Sequence, residues 1–196
     1  MKLANIIIFI TGISGIGKRT IGDAICKLDP SFKNVTPDDW MTPILRLLGD
    51  DDSTLYSLTA EGWSAVNQVR DAIFDTIAHI CPREANFIIN NDLREDNEWH
   101  KKFYARIEQM TKEKQATLIP IRLICDLPVL LERIVSEDRK NYIFKPRDAQ
   151  EIKERALSTE TFQSGSKYEL TLDTTNLSPQ QSAEKILEHL HKILNT

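Results

Sequence analysis

The chain is poor in cysteine and histidine and has no long apolar run. Its three cysteines, Cys26, Cys81 and Cys125, are odd in number and far apart, which predicts buried free thiols in a reducing compartment and a cytoplasmic protein. The four histidines lack the spacing of metal ligands, so a protein-bound metal is not expected. The apolar run at residues 3–10 is too short for a signal peptide or a membrane span, and no later run approaches that length. No membrane association is expected.

An excess of positive charge is also missing. The formal net charge is −4 and the isoelectric point is near 5.6, whereas nucleic-acid binding normally needs a basic face. Nucleic acid is therefore not expected as a partner. Hydrophobic residues make up 41% and charged residues 28% of the chain, which is typical of a globular protein. The length of 196 residues predicts one α/β domain with a full core and a small lid.

A glycine-rich loop follows the first apolar run. The segment Gly12–Thr20 reads GISGIGKRT, and residues with helical spacing continue after it. Glycines at this place let backbone amides converge on an anion, and the next helix directs the positive end of its dipole there. The loop therefore predicts a phosphate cradle, with Lys18 reaching the terminal phosphates. The cradle residues expected to bind nucleotide are Gly12, Ser14, Gly15, Ile16, Gly17, Lys18, Arg19 and Thr20.

One position departs from the common form of this motif. The residue after the lysine is usually Ser or Thr, whose hydroxyl binds Mg²⁺, but here it is Arg19. The order Gly-Lys-x-Thr resembles the loop of adenylate kinases, in which Mg²⁺ is held by nucleotide oxygens and waters. The resemblance implies ATP as a cofactor and Mg²⁺ carried by it, without a firm protein ligand.

Strands and helices alternate along the whole chain. We expect strands near 5–10, 33–36, 86–90, 116–125 and 168–173, and helices at 18–28, 43–48, 60–80, 95–114, from about 128, up to about 158, and from 178 onwards. This order predicts a parallel sheet of about five strands in a three-layer α/β/α P-loop NTPase fold. The charged segment 136–150 is the expected lid.

Polar side chains stand at the ends of these strands, where ligands of parallel sheets bind. Asp38 and Asp39 follow strand two, and either could accept the proton of an attacking hydroxyl, cap the next helix, or contact the acceptor. Asp92, after strand three, could hold Mg²⁺ through water, contact the acceptor, or form a simple polar turn. Asp173 and Thr174 end the fifth strand.

Two groups of residues bear on the acceptor and on the lid. Between residues 33 and 85 there are nine acids and four bases, a balance that favours a neutral or cationic acceptor over a nucleotide. Arg70, on the long helix, is either a solvent-exposed arginine or a ligand of acceptor carboxylate or hydroxyl groups. In the lid, Arg139 and Arg147 could neutralise charge during phosphoryl transfer, although single surface arginines are commonly only solvated.

With these residues in place, the chain resembles small P-loop kinases of the shikimate kinase, gluconate kinase and chloramphenicol phosphotransferase type. The glycine loop, Asp38-Asp39, the stretch Cys125–Arg139 and the stretch Leu172–Pro179 carry the resemblance. It implies that Arg133 lies against adenine, that Arg139 is the catalytic lid cation, and that Asp173 and Thr174 belong to the adenine-side loop. No Gly-Gly substrate loop of the shikimate type follows strand three.

The leading hypothesis is transfer of the γ-phosphoryl group of Mg·ATP to a hydroxyl of a small molecule. Lys18 and the loop would hold the phosphates, Asp38 or Asp39 would accept the proton, and Arg139 or Arg147 would close over the leaving group. Two alternatives stay open. One is a nucleotide-binding switch or ATPase module without efficient transfer, and the other is a nucleoside or nucleotide kinase.

Overall fold

Five parallel strands form one sheet in the order β2-β3-β1-β4-β5. The computed structural model describes residues 3–49, 54, 57–136, 148–158 and 160–194. The strands are β1 Ile6–Thr11, β2 Phe32–Val35, β3 Asn86–Asn91, β4 Thr117–Ile124 and β5 Leu170–Asp173. Because every pairing is parallel, the carboxyl ends of all the strands meet at one edge of the sheet.

Helices cover both faces of this sheet. They are α1 Lys18–Leu28, α2 Pro37–Leu48, α3 Ala60–His79, α4 Glu98–Lys114, α5 Leu127–Ile134, α6 Ala149–Ser158 and α7 Pro179–Leu194. Alternation along β1 directs Ile6, Ile8 and Ile10 into one core and Ile7 and Phe9 into the other. The expected three-layer α/β/α architecture is confirmed.

The helix after β2 is longer than the sequence predicted. We expected a helix near 43–48, but α2 begins at Pro37. The backbone amide of Thr36 donates to Asp39 Oδ2 at 2.6 Å, which with the reciprocal bond forms a capping box. Proline in the first turn suits a helix start because its missing N–H has no partner there anyway. The expectation was wrong because Pro37-Asp38-Asp39 was interpreted as a turn rather than as the first turn of the helix.

The cysteines are free, as expected, but each is only partly buried. Burial still raises the pKa of the Cys26 and Cys125 thiols. Within the described ranges, no helix is long and apolar enough to cross a lipid bilayer.

Candidate active site

A cavity of about 780 Å³ opens at the carboxyl edge of the sheet. The glycine loop forms its floor, because residues 14–17, which precede the start of α1, line the cavity together with the first residues of that helix. One end is bordered by residues of α2, α3 and α4, namely Trp40, Met41, Trp63, Val66, Asn67, Arg70, Trp99 and His100. The other end is bordered by Arg133, Ser136, Thr174, Leu177, Pro179 and Ser182. The size fits a drug-sized ligand.

Lys18 lies folded onto the loop that precedes it. Its Nζ donates to the carbonyl oxygens of Gly12 at 2.6 Å and Ile13 at 3.1 Å. Gly17, the N-cap of α1, has a φ of +105°, a conformation that glycine adopts at little cost. The ammonium group and the helix N-terminus therefore stand together at the floor of the cavity, which is the arrangement that binds phosphates.

The two neighbouring aspartates have different surroundings. Asp39 is occupied by the cap, because its Oδ2 accepts from the amide and the hydroxyl of Thr36. Asp38 lines the cavity and pairs with the Arg19 guanidinium. The structure thus directs one carboxylate into the helix start and the other towards the phosphate loop.

Asp92 connects the glycine loop to α6. Its Oδ2 accepts from the Ser14 amide at 3.1 Å and from Arg155 Nη2 at 2.9 Å. Arg155 could not be identified from the sequence, because α6 reaches the loop only through the tertiary fold. The carboxylate positions the loop and is neutralised by the guanidinium.

His100 is a second cavity residue that the sequence did not indicate. Its Nδ1 accepts from the Arg94 amide at 2.9 Å, so the neutral ring carries its proton on Nε2. Burial lowers the pKa of His100; the negative charge of Asp92 opposes this shift, and the positive charges of Arg94 and Arg155 act with it. The ring therefore offers a neutral N–H donor at the wall of the cavity.

Arg70 is buried rather than solvent-exposed, with a relative exposure of 9%. Its guanidinium donates to Asn67 Oδ1 at 2.7 Å and to Asp71 Oδ1 at 3.0 and 2.9 Å, and lies 5.4 Å from the centre of the Phe103 ring. Packing on that ring holds the arginine against the cavity wall. The interpretation of Arg70 as a solvated surface residue is therefore wrong.

At the opposite end, Arg133 bridges α5 and the loop after β5. Its guanidinium donates to the hydroxyl and carbonyl oxygens of Thr174 at 3.0 and 2.7 Å, and to the carbonyl of Ile16 at 3.3 Å. Asp173 points elsewhere: it accepts from the amide and hydroxyl of Thr175 and does not line the cavity among the described residues. Thr175 is the main cause of a lowered Asp173 pKa. Arg139 and Arg147, with most of the expected lid, lie outside the described residues.

The described donor set does not fit a Mg²⁺ ion held by the protein. Arg19 stands where the usual hydroxyl residue would be. The two acids that line the cavity among the described residues, Asp38 and Asp92, each pair with an arginine, which would repel a dication. The described residues contain one group of three metal-ligating side chains, Asp75, His79 and Glu113, and it is exposed and outside the cavity. Arg106 pairs with Asp75 there.

The glycine loop at the carboxyl edge of a five-stranded parallel sheet defines a P-loop α/β protein of the kinase type. A family model described as chloramphenicol phosphotransferase-like protein matches residues 4–191. The chain belongs to this family, which confirms the resemblance expected from the sequence. No curated protein matches the chain.

Solved structures support the same fold. A protein from Chloroflexus aurantiacus J-10-fl, provisionally described as a kinase, is 20% identical, with a TM-score of 0.65 over 97% of this chain and 99% of its own. A gluconokinase from Sinorhizobium meliloti 1021 is 16% identical, with a TM-score of 0.62 over 98% and 95%. A shikimate kinase from Acinetobacter baumannii, solved with shikimate, is 16% identical, with a TM-score of 0.54 over 95% and 93%. The family and the fold support a phosphotransferase in general terms.

Proposed function

We propose that the chain transfers the γ-phosphoryl group of ATP to a hydroxyl of a small molecule. The observation that carries the proposal is that Asp38 lines the same cavity as Lys18 and pairs with Arg19, while Asp39 is used in the helix cap. A carboxylate at this place can accept the proton as the acceptor oxygen bonds to the γ-phosphorus. The bond between the γ-phosphorus and the β,γ-bridging oxygen breaks, and ADP leaves with that oxygen.

The nucleotide would lie at the end of the cavity bordered by Arg133 and Thr174. Lys18 and the loop residues would hold its phosphates, and Arg133, already fixed by Thr174 and Ile16, would lie against the adenine. Arg139 remains the candidate lid cation. Magnesium would have to be held by nucleotide oxygens and waters.

The acceptor would lie at the end bordered by α2, α3 and α4. Of the nine acids and four bases between residues 33 and 85, one acid, Asp38, and one base, Arg70, line the cavity among the described residues. Within the described part of that segment, the bias towards acids therefore does not reach the cavity. Arg70 uses three of the five N–H donors of a guanidinium on Asn67 and Asp71, and we propose that the other two bind acceptor oxygens. Asp92 would act by holding the loop.

The test compares the two adjacent aspartates. ADP release from ATP is measured with and without a pooled panel of hydroxylated small molecules, for the wild type, Lys18→Ala, Asp38→Asn and Asp39→Asn. We expect acceptor-stimulated turnover that falls by about 10²–10⁴-fold in Asp38→Asn, the usual worth of a positioned base. Asp39→Asn keeps an oxygen that can accept from Thr36, so its turnover should change little.

Three results would count against the proposal. Equal losses in the two asparagine variants would contradict the assignment of Asp38. ATP binding without acceptor-stimulated ADP would favour the switch module. Stimulation confined to nucleosides or nucleoside monophosphates would favour the nucleotide kinase.

A further inference from the structure

The residue after the P-loop lysine places a second positive charge at a helix start. Arg19 is the second residue of α1, whose first turn contains no acid. Two adjacent cations at the positive end of a helix are unfavourable unless an anion lies close by. In the structure Asp38 supplies that anion from across the cavity, and Asp23, one turn further along α1, lies 3.9 Å from Arg19 Nε.

The same arginine occupies the place where a metal ligand would stand. A hard cation such as Mg²⁺ needs oxygen ligands, and a guanidinium has only donors. A metal held by Asp38 would lie beside the Arg19 guanidinium, and one held by Asp92 would lie beside Arg155, whose Nη2 is 2.9 Å from that carboxylate. Each arginine would repel a dication, so the described part of the cavity presents cations of its own where a protein-held dication would stand.

We propose that Arg19 takes the electrostatic place of a protein-held Mg²⁺ and binds the γ-phosphate of ATP. This inference rests on the proposed function, because it needs the triphosphate in the cavity. The Arg19 side chain is 41% exposed, so its guanidinium can move from the Asp38 carboxylate to a phosphate beside it. A guanidinium binds phosphate oxygens through two parallel N–H groups, which suits a terminal phosphate with free oxygens.

The exchange has a consequence for Asp38. While Arg19 binds that carboxylate, part of its hydrogen-bonding capacity is occupied by a guanidinium. Once the γ-phosphate attracts Arg19, the Asp38 oxygen that held this guanidinium can accept the proton of a hydroxyl. Binding of the correct nucleotide would therefore prepare the base, and ADP, which has no γ-phosphate, would not.

The test measures binding rather than turnover. Calorimetric titrations of the full-length chain with ADP and with the non-hydrolysable imido analogue of ATP are made in Mg²⁺ and again in EDTA. For the wild type we expect dissociation constants for the ATP analogue that agree within about threefold between the two conditions. In Arg19→Ser we expect the constant in EDTA to rise by about ten- to a hundredfold, the range of one charge-assisted contact, with little change for ADP.

Two further variants separate this role from a structural one. Arg46→Ser removes one exposed arginine outside the lining of the cavity and should leave every constant unchanged. Asp38→Asn removes the carboxylate that competes with phosphate for Arg19. The dissociation constant of the ATP analogue in EDTA should therefore fall, and that of ADP should stay nearly the same. If Arg19→Ser unfolds, Arg19→Gln keeps the length of the side chain without its charge and replaces it in the comparison.

The outcomes distinguish this inference from the proposed function. The role of Arg19 is overturned if the wild-type dissociation constant for the ATP analogue is at least tenfold higher in EDTA than in Mg²⁺. It is also overturned if Arg19→Ser has the same dissociation constants as the wild type. Binding that follows the expected pattern without any acceptor-stimulated turnover supports the role of Arg19 and contradicts the phosphotransferase. A wild type that binds no nucleotide in either condition overturns both.

Discussion

Gly15, in the middle of the phosphate loop, has no room for a side chain. Its φ is +93°, and a Cβ added there would lie 2.9 Å from Ile134 Cγ1 and closer still to Cδ1. Gly17, two residues on, is a matched control. Its φ is +105°, but the nearest atom to an added Cβ, Ile21 Cδ1, is 3.8 Å away. Alanine at Gly17 meets only backbone strain, whereas alanine at Gly15 meets strain and a collision with α5.

The magnitudes follow from this difference. Left-handed backbone costs an L-residue about 1–2 kcal/mol, so Gly17→Ala should lower the free energy of unfolding by that amount. Overpacking of a buried contact adds about 1–3 kcal/mol, so Gly15→Ala should lower it by about 2–5 kcal/mol. Ile134→Val removes the nearer of the two colliding atoms at a cost of its own of about 0.5–1.5 kcal/mol. In that background the Gly15→Ala penalty should shrink by about 1 kcal/mol.

Urea unfolding gives these free energies, provided that the m-values agree. The five proteins compared are the wild type, Gly17→Ala, Gly15→Ala, Ile134→Val and the Gly15→Ala/Ile134→Val double variant. Additivity of Gly15→Ala and Ile134→Val within about 0.5 kcal/mol would refute the collision as the cause. Equal losses for Gly15→Ala and Gly17→Ala would do the same, since backbone strain would then explain both.

Two further predictions concern residues that the sequence did not single out. The pKa of His100 is lowered on folding, so at mildly acidic pH the unfolded chain binds more protons than the folded chain. The contribution of His100 to stability is therefore present above the ordinary histidine pKa and is lost as the pH falls below it. The wild type should lose unfolding free energy between about pH 7.5 and about pH 5.5, and His100→Gln should lose less. Urea titration at each pH measures both losses, and an equal loss in the two proteins would contradict the lowered pKa of His100. Asn86 is fully buried and bonds Ile6 N, Leu3 O and Ser31 Oγ at 2.9, 3.0 and 2.9 Å, so Asn86→Ala should cost about 2–4 kcal/mol by leaving buried polar groups unpaired. A thermal shift of less than about 3 °C would contradict that cost.

The fold could be predicted because it depends on local patterns. The buried strand, the glycine loop and the helix starting at Lys18 are contiguous in the chain, and α1 ends at Leu28 as its spacing and the following Asp29-Pro30 indicate. The start of α2 was missed because two carboxylates after a proline fit both a turn and a helix cap. Only the bonds from Thr36 to Asp39 decide between them.

The candidate site was predictable only in part, because its electrostatics depend on pairs that lie far apart in the chain. Asp38 and Asp92 could be expected at the cavity because they follow strands of a parallel sheet. Nothing in the sequence pairs Asp92 with Arg155, 63 positions away. Arg19 looked like a defect in a metal-binding motif as long as it was considered alone. Beside Asp38 it becomes part of an arrangement of charge, because each of the two acids that line the cavity among the described residues pairs with an arginine. We therefore expect this departure from the common motif to be measurable as a weak dependence of nucleotide binding on magnesium.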